Sequence, residues 1–556
     1  MKEVIRSLVR EALTRAAQKG SVSLPDLGST RIEVSKSKDP RFGDYATNIA
    51  LALAGASGIK PRELAAIVIE NLPNAPDVLA SWEIAGPGFI NFFLAPGVWH
   101  GVLQKIHEER EQYGRSVQTG GPRILLEFVS ANPTGPLHVG HGRGAAVGDT
   151  LARLLKTCGY DVETEYYVND AGNQMRTLGR SLLYRYRQQL GQDVAFPDDH
   201  YRGDYMIEMA ERLRGTELGE RLIREPEDEA VELATRYACD TILEGIQEDL
   251  ALFGVSYDRY FRETTLHDSG AIADTLTELK SKGKTEEHEG ALWFSMADQE
   301  DEKDRVLVRA TGEPTYFAAD AAYHRNKLER GYGLLIDIWG SDHHGYVPRV
   351  KAAVEALGHD SNVLRVLLVQ FVTLVREGQK ISMSTRSGEF VTLREVLDEV
   401  GSDAARFFFL TKRCDSHLDF DLDLAKKQSR DNPVYYVQYV HARVASIFRI
   451  AEERAIEADM SDPDFTALTV PEETKIMKHL ADFPDMLAEA AETLEPHRIT
   501  FYLLDLAELF HAYYHDNRVL LEDARLKTAR LYLVEAVRQV IANGLAILGV
   551  TAPERM

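Results

Sequence analysis

A short apolar strand, a loop of proline and glycine, and a helix of small residues follow one another within residues 123–151. The strand signal is residues 123–129, the loop is residues 132–136, and the helix signal begins at Gly140. This order opens a βαβ nucleotide-binding unit, in which a parallel sheet binds its ligand at the carboxyl ends of the strands. The chain is therefore predicted to contain a Rossmann-like parallel α/β core.

Further signals place this unit inside a larger core domain. Residues 162–168 and 334–340 read as strands, and polar helical sequence covers about residues 175–252 between them. We interpret that polar segment as an insertion in the parallel sheet. The core domain is predicted to span residues 120–430.

The sequence on either side of this core predicts two smaller domains. Residues 1–115 begin with an amphipathic helix, include the strand-like run 89–94 and end in a polar, Gly-rich segment, which indicates an N-terminal α/β module. Over residues 431–556 strand signals vanish and long amphipathic helices dominate, which predicts a C-terminal all-α helical bundle. At 556 residues the chain is too long for one hydrophobic core, so several domains are expected.

Composition excludes disordered, fibrous, membrane-spanning and secreted proteins. The apolar share of 44% and the charged share of 27% are typical of folded soluble domains. No run approaches the ~20 apolar residues of a membrane span, and the charged start lacks a signal-peptide core, so a cytoplasmic protein is expected. The three cysteines form no C-x-x-C pair, so no structural metal is expected.

The charge balance weighs against nucleic-acid binding. Lys plus Arg number 64 and Asp plus Glu number 87, which gives a formal net charge of −23. Phosphate contacts depend on local rather than total charge, so an RNA partner requires basic residues gathered on one face.

Two histidines stand where the loop of the core meets its helix. His138 and His141 fall on the same side of the first helical turn, and Gly140 between them lets a ligand approach the backbone. Imidazoles in that place can donate hydrogen bonds to an α-phosphate as charge develops on it. An isolated H-x-x-H pair is more often an ordinary capping or core pair. Its place after a strand and a Pro/Gly loop favours nucleotide chemistry.

The stretch from Glu127 to His141 carries a family resemblance. His138-Val139-Gly140-His141 resembles the HIGH signature of class I aminoacyl-tRNA synthetases and related nucleotidylyltransferases, and the whole stretch resembles the bacterial-type arginyl-tRNA synthetases. The resemblance implies ATP-dependent aminoacylation of tRNA(Arg) with L-arginine through an arginyl-adenylate, with release of AMP and pyrophosphate. It also implies ATP with Mg²⁺ as a substrate complex.

A second stretch, about residues 379–390, resembles the KMSKS signature loop of the same family. Three positions agree with the signature, namely Met383, Ser384 and Arg386. Ser382 and Thr385 stand where two lysines are usual. Alone, such a loop is more often a solvated basic turn. By resemblance it closes over ATP and neutralises the leaving pyrophosphate, with Lys380 or Arg386 supplying the missing charge.

Arginine as a substrate requires carboxylates and planar acceptors, because its guanidinium always keeps its charge. Segments 255–264, 314–320 and 167–174 resemble family stretches that meet arginine. The resemblance assigns four residues to the substrate in these segments: Glu263, Tyr316, Asp320 and Asn169. It assigns three more to the α-amino and carboxylate end: Ser130, Asn132 and His141. Each of them could instead be an ordinary surface or hydrogen-bonded polar residue.

Residues 338–346 follow a predicted strand and resemble the family segment around the adenosine half of ATP. The expected ATP contacts are Gly340, Asp342, His343 and His344, together with His138, Gly140 and His141 of the first signature and Met383 of the second. Asp342-His343-His344 suggests a metal cluster out of context. No further ligands stand at suitable spacing, so no metal site is expected.

At the start of the helical bundle Tyr436 and Tyr439 lie three residues apart, with Arg443 following. Such a stripe is more often core than binding surface. The segment nevertheless resembles the anticodon-binding domain of arginyl-tRNA synthetases, where aromatic rings can stack on unpaired bases. The C-terminal residues up to Met556 also resemble theirs, so tRNA contacts are expected at these four residues. The N-terminal module resembles the added domain that touches the corner of the tRNA.

Two alternatives remain. A class I synthetase for another amino acid, or a small nucleotidylyltransferase, shares the H-x-G-H chemistry, although length and the helical C-terminal region oppose the second. A non-catalytic tRNA-binding relative is the other alternative, and the intact His138 and His141 count against it. The protein is expected to act as a monomer on tRNA(Arg), L-arginine and ATP, away from membranes.

Overall fold

The computed structural model describes residues 1–23, 30–37, 39–116, 120–295, 305–381, 391–456, 459–461 and 463–556. These residues fold into two compact units. The first contains residues 1–113, 447–483 and 508–540, and the second contains residues 114–446, 484–507 and 541–556. The division into three domains stays a prediction.

The described part of residues 1–113 folds into helices and an antiparallel sheet. In chain order the elements are α1 (Lys2–Gln18), β1 (Val34–Lys36), β2 (Tyr45–Thr47), α2 (Ile49–Ser57), α3 (Pro61–Glu70), β3 (Leu79–Ala85), β4 (Phe89–Leu94) and α4 (Pro96–Glu109). The strand order is β1-β2-β4-β3, with antiparallel pairs throughout. Helix α1 buries Ile5, Val9, Ala12 and Leu13, as its amphipathic pattern predicts. The N-terminal α/β module is confirmed.

The second unit is built on a parallel sheet. Its first elements are β5 (Ile124–Phe128), α5 (Val139–Thr157), β6 (Val162–Val168), α6 (Asn173–Gln189), α7 (Asp204–Arg212), α8 (Glu217–Arg224), α9 (Glu227–Leu252) and β7 (Arg259–Arg262). The next elements are α10 (Thr264–Asp268), α11 (Ala271–Ser281), β8 (Thr285–His288), β9 (Ala291–Phe294), β10 (Arg305–Val308), α12 (Tyr316–Glu329), β11 (Leu334–Gly340), α13 (Val347–Ala356) and β12 (Leu364–Val369). The sheet order is β12-β11-β5-β6-β7, with parallel pairs, so the Rossmann-like core is confirmed.

Glycines let α5 lie close to this sheet. Strand β5 is buried along its whole length, and a Cβ atom on Gly148 would lie 2.2 Å from Cγ of Phe128. A Cβ atom on Gly142 would lie 2.7 Å from Cδ1 of Leu393. Real Cβ atoms do not approach so closely, so Gly148 requires glycine against the Phe128 ring, whereas at Gly142 the flexible end of Leu393 would have to shift. The close packing brings the start of α5 to the carboxyl edge of the sheet.

Smaller elements complete the second unit. They are β13 (Val372–Arg376), β14 (Gln379–Lys380), α14 (Leu393–Val400), α15 (Ser402–Phe409), β15 (Leu418–Asp421) and α16 (Leu422–Lys426). Strands β14, β13 and β15 form one short sheet, and β10, β9 and β8 form another. Short 3-10 helices cover Pro40–Phe42, Arg110–Gln112, Ser341–Tyr346, Ser361–Val363 and Phe465–Ala467.

The described part of residues 433–548 contains four long helices. They are α17 (Pro433–Glu453), α18 (Pro471–Thr493), α19 (His497–Asp516) and α20 (Ala524–Leu548), which confirms the all-α prediction. Helix α20 is long and apolar enough to cross a membrane by length and composition, with a mean hydropathy of 1.4. The expectation that no segment has this composition was wrong. Of its apolar window 72% is buried inside the structure, so these side chains serve packing.

Candidate active site

A strained turn carries the chain out of β5, the central strand of the parallel sheet. Val129 and Ser130 have φ angles of 68° and 43°, in the left-handed region that residues other than glycine rarely adopt, least of all a β-branched residue such as Val129. The hydroxyl of Ser130 donates to Oε1 of Glu127 at 2.8 Å and accepts from the backbone N–H of Tyr167 at 3.1 Å. These bonds hold the turn, and strain of this kind concentrates at ligand sites.

His138 and His141 stack at the start of α5, with ring centroids 3.7 Å apart. Nδ1 of His138 accepts from the N–H of Gly140 at 3.1 Å, and Nδ1 of His141 accepts from the N–H of His138 at 3.3 Å. Because both Nδ1 atoms are acceptors, each neutral ring carries its hydrogen on Nε2. Burial lowers the pKa of His138, and burial together with the charge of His138 lowers the pKa of His141 to about 3. Near neutral pH both rings are therefore uncharged Nε2–H donors.

The segment that follows the second signature loop pairs with the segment before α5. Leu393 donates its N–H to the carbonyl of Leu137 at 2.7 Å, and His138 and Thr392 form an antiparallel bridge. Thr392 and Leu393, which follow the loop, are therefore fixed beside His138. At the other end Lys380 lies in β14 with its side chain 71% exposed. The remaining predicted loop residues lie outside the described residues: Met383, Ser384 and Arg386.

A cavity of about 110 Å³ lies at the carboxyl edge of the parallel sheet. It brings together seven of the predicted site residues: Ser130, Asn132, Asn169, Tyr316, Asp320, Gly340 and His343. These residues follow β5 and β6, begin α12 and follow β11, so the fold assembles the cavity from separate segments. The other described residues that were predicted for catalysis, ATP or arginine do not line the cavity: His138, Gly140, His141, Glu263, Asp342, His344 and Lys380.

Asp320 places a carboxyl group in this cavity. Its side chain is buried, and Tyr346 donates its hydroxyl hydrogen to Oδ2. Burial raises the pKa of Asp320 to about 7, although the hydrogen bond from Tyr346 opposes the rise. The group is therefore close to half ionised at neutral pH. A cation bound beside it would favour the charged form.

Glu263 is separated from the cavity by the side chain of Tyr167. Tyr167, which lines the cavity, donates its hydroxyl hydrogen to Oε2 of Glu263 at 3.0 Å. Nε2 of His267 lies 3.5 Å from the other oxygen of the same carboxylate. Burial, followed by the charge of Glu263, raises the pKa of Tyr167, so the phenol keeps its hydrogen. Tyr167 thus stands between Glu263 and the cavity, and sequence reasoning gave this tyrosine no role.

Sequence reasoning also missed a buried charged cluster in which Glu127, His324 and Asp337 themselves line the cavity. Lys327 lies between two carboxylates, with Nζ 2.5 Å from Glu127 and 2.9 Å from Asp337, and His324 contacts the second oxygen of Asp337 at 3.0 Å. Burial alone would raise the pKa of Asp337, but Lys327 and His324 lower it to about 2. The sequence did contain a signal for this cluster, because Glu127 and Asp337 interrupt apolar strands. Asp320, His324 and Lys327 also recur at the spacing of one helix face.

The residues after β11 form another wall of the cavity. Gly340 ends the strand, and a Cβ atom there would lie 2.5 Å from Oδ1 of Asp342. Asp342, His343 and His344 are exposed, and the ring of His343 meets Trp339 edge-on at 6.4 Å. Within the described ranges, no group of three or more His, Cys, Asp or Glu side chains could hold a metal ion.

The predicted tRNA contacts lie on α17 and at the C-terminus. The guanidinium carbon of Arg443 lies 4.8 Å from the ring centroid of Tyr439, and Tyr435 stacks on the same ring at 6.1 Å. Tyr436, Tyr439 and Arg443 are half-buried. Met556 is 48% exposed and lines a separate cavity of about 360 Å³ with Tyr435. Tyr435, which had no assigned role, therefore connects the two predicted areas.

Family profiles match the chain in three blocks. Residues 103–415 match "tRNA synthetases class I (R), catalytic domain". Residues 3–94 match "Arginyl tRNA synthetase N terminal domain", and residues 437–556 match "DALR anticodon binding domain". The catalytic profile alone covers more than half of the chain.

Curated relatives match over the full length. The arginine–tRNA ligase of Desulfosudis oleivorans is 54% identical and that of Syntrophotalea carbinolica 50% identical, each over 100% of both chains. The solved arginyl-tRNA synthetase of Thermus thermophilus matches over 100% of both chains at 24% identity with a TM-score of 0.76, which supports the fold. On this profile and on these full-length relatives, the chain belongs to the arginyl-tRNA synthetase family of class I.

Proposed function

We propose that this protein joins L-arginine to tRNA(Arg) in two steps. ATP first activates arginine to arginyl-adenylate with release of pyrophosphate, and the arginyl group then passes to tRNA with release of AMP. The observation that carries the proposal is the cavity at the carboxyl edge of the parallel sheet, because Asp320 offers a buried carboxyl group to a cation there. The full-length relatives named arginine–tRNA ligase support the same reaction.

In the first step an oxygen of the arginine carboxylate attacks the α-phosphorus of ATP. The new O–P bond forms as the bond from the α-phosphorus to the bridging oxygen breaks, and pyrophosphate leaves with the electron pair. Charge grows on the phosphate oxygens during this displacement. We propose that the Nε2–H groups of His138 and His141 donate to those oxygens, since their Nδ1 atoms are bound to the backbone.

Arginine is proposed to lie along the cavity with its two ends in different chemical surroundings. The side chain would contact Asn169, Tyr316 and Asp320 directly, and Glu263 would act on it from behind Tyr167. The α-amino and carboxylate end would contact Ser130, Asn132 and His141. A planar guanidinium with five N–H donors can satisfy several acceptors at once, whereas the compact ammonium of lysine cannot.

ATP is proposed to lie between the two signatures. Its adenosine half would contact Gly140, Gly340, Asp342, His343 and His344. The pyrophosphate would meet the second signature loop at Lys380, Met383, Ser384 and Arg386, with Lys380 or Arg386 replacing the missing lysine charge. Mg²⁺ would enter with the phosphates as part of the substrate.

In the second step a hydroxyl of the terminal ribose of tRNA attacks the carbonyl carbon of the adenylate, and AMP leaves. Three domains are proposed to share this work: residues 1–115 contact tRNA, residues 120–430 catalyse, and residues 431–556 bind the anticodon. The anticodon contacts would come from Tyr436, Tyr439, Arg443 and Met556. We propose that the protein acts as a monomer in the cytoplasm.

Aminoacylation of purified tRNA(Arg) tests the proposal. With ATP and Mg²⁺ the protein should charge arginine in strong preference to lysine and citrulline. ATP–pyrophosphate exchange across all twenty amino acids, with tRNA present, checks the choice of substrate. Preferred charging of another amino acid would indicate a different class I synthetase. A folded protein that charges nothing would indicate a non-catalytic tRNA-binding relative.

A further inference from the structure

A buried polar path begins at the strained turn after β5. Ser130 donates to Oε1 of Glu127 at 2.8 Å, and the other oxygen of Glu127 lies 2.5 Å from Nζ of Lys327. Lys327 also donates to Oδ1 of Asp337 at 2.9 Å. The lysine therefore joins the turn that carries Ser130 to the middle of the neighbouring strand β11.

The path continues from β11 to the first turns of α12. Oδ2 of Asp337 lies 3.0 Å from Nε2 of His324, and Nδ1 of His324 lies 2.9 Å from the backbone carbonyl oxygen of Asp320. The imidazole of His324 therefore lies between a carboxylate oxygen of β11 and a backbone carbonyl oxygen of α12 and links the two elements.

Burial sets this path apart from a surface ion pair. Lys327 is 0%, Asp337 1% and His324 3% exposed. Lys327 contacts the carboxyl groups of both Glu127 and Asp337, and His324 contacts the second oxygen of Asp337, so the members of the path satisfy one another. Replacing such a buried cluster by apolar residues often costs no stability, so stability alone is a weak reason to keep it.

We propose that Lys327 and His324 are positioning residues that fix the spacing between the two ends of the arginine pocket. The inference rests on the proposed function, in which Ser130 meets the α end of arginine and Asp320 meets the guanidinium. A rigid spacing between these two contacts selects substrates by the length of their side chain. Because the path reaches Asp320 through its backbone carbonyl, it leaves the carboxyl group of Asp320 for the guanidinium.

Two substitutions at His324 each break one half of the path. His324→Asn keeps a donor near the position of Nδ1 and loses the bond to Asp337. His324→Gln keeps a donor near the position of Nε2 and loses the bond to Asp320. Each should raise the KM for arginine about 10-fold, as expected for one buried hydrogen bond, while the KM for ATP stays within about twofold.

The discrimination between substrates of different length would not change if His324 had a purely structural role. Wild type should discriminate by about 10-fold or more against guanidino amino acids with one methylene more or one fewer. In both His324 variants this discrimination should shrink by at least about threefold. Asp337→Asn, which keeps the side-chain shape, should have the same effect and serves if the His324 variants do not fold.

A matched control lies in another buried ion pair of the chain. Glu473 is fully buried and accepts from Nε of Arg530 at 2.8 Å and from the hydroxyl of Tyr513 at 3.2 Å. Glu473→Gln should lower the Tm without changing the KM for arginine or the length discrimination. If folded variants of His324 and Asp337 behave like this control, the positioning role is overturned. A wild type that does not charge arginine would instead overturn the proposed function.

Discussion

At the scale of single residues, the two signature histidines combine a capping role with a chemical one. Each Nδ1 atom accepts a backbone N–H, which orients the ring and leaves the hydrogen on Nε2. Burial disfavours charge on either ring, and stacking at 3.7 Å disfavours charge on both. The pair is therefore suited to donating hydrogen bonds and poorly suited to exchanging protons.

Removing either imidazole should slow arginine activation. His138→Ala or His141→Ala is expected to lower the activation rate by at least about 10²-fold, because the lost hydrogen bond strengthens mainly in the transition state. The KM for ATP should change much less. ATP–pyrophosphate exchange with tRNA present measures both quantities, and His359→Ala on an exposed turn is the control. Wild-type rates in both signature variants would exclude these rings from catalysis.

The ionisation of Asp320 predicts how arginine binding depends on pH. Burial raises the pKa of this group to about 7, and a guanidinium requires the charged form. The KM for arginine should therefore rise as pH falls below about 7, approaching about tenfold per pH unit, and should level off above it. Steady-state aminoacylation between about pH 5.5 and pH 8.5 measures this dependence. Asp320→Asn should bind arginine weakly and lose the dependence.

The ionisation of Asp320 also makes the stability of the folded protein depend on pH. Because the folded-state pKa of Asp320 is raised, its contribution to stability is present at low pH and is lost as pH rises through about 7. Arginine should offset that loss by binding the ionised form. An arginine KM that is independent of pH near 7 in the wild type would contradict a guanidinium contact at Asp320.

Sequence reasoning at this scale located polar residues after two strands and in α12 but not their buried partners. Ser130, Asn169 and Asp320 were predicted as substrate residues, and the structure places them around one cavity. Their substrate contacts stay predictions. Lys327 and His324 were missed because a charge on an apolar face predicts only that some partner exists. Which partner it meets is decided by tertiary packing.

At the scale of elements, the packing of α5 against β5 decides where the first signature lies. Gly148 contacts the ring of Phe128 directly, whereas Gly144, one turn earlier on the same helix, has open space at its Cβ position. Two glycines of one helix therefore have opposite roles. Gly148 allows close packing, whereas Gly144 only lowers helix propensity.

This contrast gives a paired prediction for stability. Gly148→Ala should destabilise the protein by about 2–3 kcal/mol, because the added methyl overlaps the Phe128 ring. Gly144→Ala should be neutral or should stabilise by up to about 1 kcal/mol through helix propensity. Urea unfolding followed by circular dichroism measures both. Equal stability of the two variants would show that α5 can move away from the sheet without cost.

The long, periodic elements were predictable, and the short ones were not. The strands β5, β6 and β11 and the helices from α17 to α20 follow from apolar patterning that is visible in the chain. Strand β8 reads Thr-Glu-Glu-His and is largely exposed, so no hydrophobic alternation identifies it. Its existence depends on pairing with β9, which is a tertiary contact.

At the scale of the whole molecule, the net charge of −23 opposes an RNA partner at long range. Binding of tRNA must then depend on a few local contacts, among which Met556 is proposed. The C-terminal residues that precede it are well anchored. The N–H of Thr551 donates to Oδ1 of Asp403 at 3.1 Å, and the carbonyl of Pro553 lies 2.9 Å from Nδ1 of His441.

Removal of Met556 should therefore weaken tRNA binding and leave the chemistry intact. The anchors at Thr551 and Pro553 remain, so the second unit should keep its fold and its KM for arginine and ATP within about twofold. The KM for tRNA should rise about 10-fold, as expected for losing one apolar contact to an unpaired base. Met556→Leu keeps the apolar bulk and should stay close to wild type. If the deletion leaves the KM for tRNA unchanged, the cavity shared by Met556 and Tyr435 is not an anticodon contact. Recognition would then have to come from Tyr436, Tyr439 or Arg443 on α17.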